Sequence, residues 1–163
     1  MNYLIKNILY ATDLGPHSPE VLRHAMGFSR AFNAKIHVLH VMEPLSDYAE
    51  SLLSSYMSEE MRTKVSRDGF EEARQEMEKR AERICRDSGL TLKELEEMVG
   101  EVQVVQGVPY QTILETAQRL DADIIVMGSH GRTVVGEMLL GSVAHKVTMK
   151  SKVPVLLVPI SSD

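Results

Sequence analysis

Apolar residues fall along this chain in two alternating rhythms. Short runs rich in β-branched and aliphatic residues occupy 4–10, 36–41, 102–105, 124–127 and 154–158, and each reads as a buried strand. Between them, apolar residues recur at spacings of three and four. The first set is Val21, Leu22, Ala25, Phe28 and Phe32. The second is Met61, Val65, Ala73, Met77, Ala81, Ile84 and Cys85, interrupted by Asp68-Gly69. Ile113, Leu114, Ala117 and Leu120 follow, then Val143, Ala144 and Val147. These are the buried stripes of helices.

Punctuation agrees with this division. Asp13, Gly15 and Pro16 end the first strand, and Ser18-Pro19-Glu20 reads as a helix start with Ser18 as its cap. Pro44 stops the second strand, Ser58-Glu59-Glu60 looks like another cap, and Gly89 ends the long charged helix. Gly107-Val108-Pro109 turns into the next helix, and Pro159 closes the last strand. Residues 43–60 show no clear period and read as a mobile loop with room for a helical piece. Residues 92–98 read as a short extra helix or loop. Regular alternation of strand and helix predicts an α/β fold, a single domain over residues 1–163 with an open, five-stranded parallel sheet and helices on both faces.

Composition narrows the function classes. The chain has 163 residues, 44% hydrophobic and 25% charged, enough for one domain with a substantial core. A net charge of -5 argues against non-specific nucleic-acid binding, and the absence of Trp disfavours base-stacking platforms. The one cysteine, Cys85, has no partner for an internal disulfide and reads as a small core residue. No Cys/His metal pattern is visible. No secretory leader or run long enough to cross a bilayer is seen, so a cytoplasmic protein is expected.

The segment IIVMGSHGRTVVGEMLLGSVAHKV carries the chemistry. Gly128, Gly131 and Gly141 stand at offsets of three and ten, and Ser142 follows the last directly. They lie after a strand and before a helix, the arrangement in which backbone amides and a helix N-terminus hold phosphate. Tight strand-to-helix turns would use the same glycines.

This glycine spacing, with ILYATD near the start and VPVLLV near the end, resembles the universal stress protein family from Lys6 to Val158. Gly128-x2-Gly131-x9-Gly141-Ser142 matches the nucleotide-binding motif of its ATP-binding members without departure. The resemblance implies a Rossmann-like strand order of 3-2-1-4-5, with a topological switch between strands one and four. Ligands of open α/β sheets bind at such a point, outside the carboxyl ends of the strands. Ala11, Thr12 and Asp13 border it on one side; Met127, Gly128, His130 and Gly131 border it on the other.

Further roles follow from the resemblance. Asp13 would accept hydrogen bonds from ribose hydroxyls or the adenine amine, although a turn aspartate would look the same. Val41 would read the adenine edge through its backbone, and Gly128 would let ribose lie against the strand end. His130, Gly131 and Arg132 would flank the phosphates; a solvated loop arginine is the alternative for Arg132. Gly141, Ser142 and Val143 would supply the helix N-terminus, with Ser142 either binding phosphate or serving as an N-cap.

The function expected is an ATP-binding regulatory or stress-response dimer, holding ATP (or ADP or AMP) with magnesium. A slow ATPase or nucleotidyl-transferring enzyme on the same scaffold is the alternative. The chain lacks a Walker-type Gly-Lys-Ser/Thr and paired carboxylates for magnesium, and it carries Asp13-Leu14-Gly15-Pro16-His17 where related transferases carry His-x-Gly-His. No catalytic residue and no protein metal ligand is therefore assigned. Val153, Val155, Leu156, Leu157 and Val158 would form an apolar edge strand, expected to pair with its copy in a homodimer.

Overall fold

The structure is a computed structural model and describes residues 4–130 and 140–160. Five strands, β1 (Asn7–Thr12), β2 (Lys35–Met42), β3 (Val99–Gln106), β4 (Ile124–Gly128) and β5 (Val155–Val158), form one sheet. Its order is β3-β2-β1-β4-β5 and all pairings are parallel, as expected. The helices are α1 (Ser18–Phe32), α2 (Asp47–Tyr56), α3 (Glu59–Asp87), α4 (Leu92–Met98), α5 (Pro109–Arg119) and α6 (Ser142–Lys150).

Strand alternation sorts the core into two layers. Ile8, Tyr10, Ile36 and Val126 face Val21, Ala25 and Met26 of α1 and Ile84 of α3. Leu9, Leu39, Ile125 and Met127 face Ile113 and Ala117 of α5 and Ala144 and Val147 of α6. Ile8, Leu9, Ile125 and Val126 have no solvent exposure. Two central strands buried on both faces account for their uninterrupted apolar runs.

Several boundaries differ from the sequence reading. β1 runs to Thr12, because Ala11 and Thr12 continue the ladder opposite Leu39 and His40. Ser18 is the first residue of α1; His17 holds the cap position without a side-chain bond. Residues 43–60, expected as a mobile loop with room for a helical piece, hold such a piece in α2, capped by Ser46 Oγ accepting the Ala49 amide at 3.3 Å. No residue of α2 is buried, which explains why no core-facing period marked it. α3 passes through Asp68-Gly69 unbroken, and of its expected stripe only Met77, Ile84 and Cys85 are buried. A helical glycine costs about 1 kcal/mol relative to alanine, an amount that 29 residues of hydrogen bonding absorb.

β3 begins at Val99, earlier than expected, because a bulge splits it. Ile36 pairs with Val99 and Val38 with Val102, so Gly100 and Glu101 together face His37. His37 Nδ1 accepts the Glu101 amide at 3.1 Å and Nε2 lies 3.3 Å from Asn7 Oδ1. The ring thus replaces the missing ladder bond, and Gly100 leaves room for it: a Cβ there would lie 2.5 Å from His37 Cε1.

Candidate functional site

The β1–α1 turn is built by short side chains bonding the next amides but one. Thr12 Oγ1 accepts the Leu14 amide at 3.1 Å, and Asp13 Oδ1 accepts the Gly15 amide at 2.9 Å. These bonds hold Leu14 at φ 57°, a left-handed conformation that costs a non-glycine residue about 1–3 kcal/mol. Burial of the Leu14 side chain offsets that cost. His40, buried at the end of β2, sets its Nδ1 2.8 Å from the Thr12 carbonyl. A carbonyl only accepts, so Nδ1 carries the proton.

At the other side of the switch, Ser129 ties β4 to α6. Its amide donates to the Val158 carbonyl at 2.9 Å, and its carbonyl accepts the Gly141 amide at 2.8 Å. Its hydroxyl accepts the Ile160 amide and contacts His130 Nδ1, both at 3.0 Å. The bare Cα of Gly128 lets Ile160 and the His130 carbonyl close over the strand end: a Cβ would sit 2.5 Å from Ile160 Cδ1 and 3.2 Å from the His130 carbonyl. Gly141 is the N-cap of α6 and offers no side-chain bond, while Ser142 is the first helical residue and not the cap. The first-turn amides and the positive end of the helix dipole therefore face outward from the helix start.

These pieces meet around one cavity of about 950 Å³ at the carboxyl ends of β1, β2 and β4. Ala11, Thr12, Asp13, Val41, Met127, Gly128, His130, Gly141, Ser142 and Val143 all line it. Gly131 and Arg132 lie outside the described residues. Its volume is at the upper end of the ~300–1,000 Å³ span of small-molecule pockets.

The sequence reading missed the wall supplied by α3. Gly69, Glu72, Glu76 and Arg80 of α3 line the same cavity. Arg80 Nη1 donates to the Gly15 carbonyl at 2.6 Å and to Ser18 Oγ, and Nε donates to Glu76 Oε1 at 2.6 Å. The guanidinium holds the Glu76 carboxyl below the usual carboxylate range. Tyr10 donates its hydroxyl to the Ser18 carbonyl at 2.9 Å, and burial pushes the phenol up to about 12. No local motif announces Arg80, which lies 65 residues from the carbonyl it bonds and sits within the unbroken α3. Among the described residues, no group of three or more His, Cys, Asp or Glu side chains is placed to hold a metal ion.

The model of the universal stress protein family matches residues 4–159. The chain belongs to the universal stress protein family. Universal stress protein MJ0577 of Methanocaldococcus jannaschii is 31% identical, with 97% of each chain covered. A universal stress protein of Thermus aquaticus is 32% identical over 95% of this chain and 99% of its own. The solved structure of the M. jannaschii protein superposes with a TM-score of 0.74, covering 98% of this chain and 99% of that one. A universal stress protein crystallised in complex with cAMP shares the fold at a TM-score of 0.62 and 20% identity, covering 97% of this chain and 99% of its own. No described helix is long and apolar enough to cross a membrane.

Proposed function

We propose that this universal stress protein binds an adenine nucleotide, ATP or its di- or monophosphate, in the cavity between β1 and β4. The convergence of ten motif-derived positions on that one cavity carries the reading. The glycine spacing that supplies several of those positions supports it too, as does the cAMP complex of a universal stress protein of the same fold.

The geometry fits the ligand's parts. The start of α6, which has no side-chain cap, suits phosphate oxygens, and Gly128 lines the cavity at the strand end where ribose would lie. Asp13 and the backbone at Val41 lie on the side suited to ribose and base. Magnesium would enter on the phosphate oxygens, with water completing its shell. Binding without efficient turnover is the expected behaviour, because neither a phosphate-cradling lysine nor a metal-holding carboxylate pair is supplied by the motif.

The functional unit proposed is a cytoplasmic homodimer built through β5. This strand is an edge of the sheet. Pro154 and Val158 turn their carbonyls to β4, accepting from Ile125 and Ser129 at 3.0 and 2.9 Å. Alternation then leaves the amides of Val155 and Leu157 facing outward. Val155 and Leu157 therefore provide the pairing groups; Val153, expected in the same strand, precedes β5, and the side chain of Val158 is buried in the chain's own core.

Calorimetric titration with ATP tests the binding site. Gly131→Val should place a branched side chain in the phosphate path and abolish binding in a folded protein. Unchanged affinity in that variant would remove the glycine motif from the site.

A further inference from the structure

A second cavity, of about 440 Å³, lies beneath α3 and α4 on the α1 side of the sheet. Its walls are apolar: Val38 and Val102 from the sheet, Leu22 from α1, Met77 and Ala81 from α3, and Leu95 from α4. Van der Waals contact across such a space is forfeited unless an occupant restores it, and an apolar lining gives water few partners. The volume is within the ~300–1,000 Å³ range of ligand pockets.

The polar groups at this cavity are unevenly signed. Exposed Glu78, Glu82 and Glu96 line it, with Arg74 3.4 Å from Glu78. Arg80 is the basic residue of the lining, and its guanidinium is turned away to the Gly15 carbonyl, Ser18 and Glu76. We propose that this second cavity binds an apolar small molecule with a positively charged end, its body against Val38, Met77 and Ala81 and its cation among Glu78, Glu82 and Glu96. Tyr10, Thr12, Leu14, Ser18 and Arg80 line both cavities, so the two sites share a wall.

N-phenyl-1-naphthylamine, an uncharged apolar fluorophore, reports the site directly. Its fluorescence should rise on binding the full chain, and octylamine at pH 7 should displace it about fivefold better than octanoate, the preference that exposed carboxylates near a cation supply. Ala81→Phe and, separately, Val102→Phe should fill the cavity and weaken the fluorophore about tenfold, with the circular-dichroism spectrum unchanged. Joint replacement of Glu78, Glu82 and Glu96 by Gln should erase the preference for octylamine while leaving the fluorophore bound. Fluorophore affinity unaltered in both folded Phe variants would overturn the site. Equal displacement by octylamine and octanoate would overturn its charge selectivity. Calorimetric ATP titrations on the same variants should match the parent protein, so loss of nucleotide binding in the parent would sink the nucleotide reading and leave this one standing.

Discussion

Replacing Arg80 by methionine removes the clamp between α3 and the turn that presents Asp13. Methionine keeps much of the aliphatic stem, so the change reports mainly on the guanidinium. Three interactions are lost: donation to the Gly15 carbonyl at 2.6 Å, donation to Ser18 Oγ, and the bond to Glu76 at 2.6 Å. A hydrogen bond from a charged donor contributes about 1.5–3 kcal/mol net. The Gly15 carbonyl keeps the Ser18 amide at 3.2 Å, which softens its loss. Glu76 is 45% exposed, so its pair adds no more than about 1 kcal/mol. The expected loss is about 2–3 kcal/mol, or a drop in Tm of roughly 4–12 °C for a chain of this size. Urea denaturation followed by circular dichroism reads it. Arg80→Lys should fall between, because an ammonium keeps the charge but not the planar fork. A loss under about 0.5 kcal/mol for Arg80→Met would refute the clamp, since that is the scatter of ordinary surface substitutions.

Four other outcomes follow from the same geometry. Burial is the main cause holding His37 below its ordinary pKa, Arg119 and Lys35 adding to it and Glu101 opposing. The unfolded chain therefore binds the proton first, so stability is full above about pH 6.5 and falls as the pH drops through and below it. Urea midpoints between pH 7.5 and 5.5 should show this fall, and His37→Gln should flatten part of it; an identical pH slope in the variant would contradict the bulge account. Asp123 Oδ2 accepts the Lys6 and Asn7 amides at 2.7 and 2.9 Å, and Asp123→Ala should cost about 2 kcal/mol in the same denaturation assay. Leu157→Pro removes an outward-facing amide from the β5 edge and should shift the protein toward monomer in light scattering while the fold persists; an unchanged dimer would place the interface elsewhere. Phosphate release with excess magnesium and ATP should stay far below the ~10 per second median of enzymes, and multiple turnovers near that rate would favour the enzyme reading.

The layout of the sheet was legible because parallel strands buried on both faces leave unbroken apolar runs, as at Ile124, Ile125 and Val126. The order β3-β2-β1-β4-β5 came from the family resemblance and not from the runs themselves, which carry no information on neighbours. The motif half of the candidate site was legible for a local reason: phosphate loops need glycine at set offsets, and Gly128 and Gly141 stand at one cavity. The α3 half was not. Arg80 reaches the Gly15 carbonyl across 65 residues, and a lone arginine on a charged helix looks like any solvated one. α2 was obscured because Tyr48, Leu52 and Tyr56, spaced by four, are all exposed and mark no core face. His37 is explained only by the bulge it fills, and a bulge leaves little trace in a single sequence.

Adenine-nucleotide binding at the β1–β4 switch underlies the proposed function. Denaturing the purified protein and identifying the released small molecules by chromatography, with ATP calorimetry on the nucleotide-free chain, tests it most directly. An adenine nucleotide should appear in the released fraction, or ATP should bind saturably at one site per chain, with Gly131→Val abolishing it. No released nucleotide together with no ATP binding at millimolar concentration would contradict it.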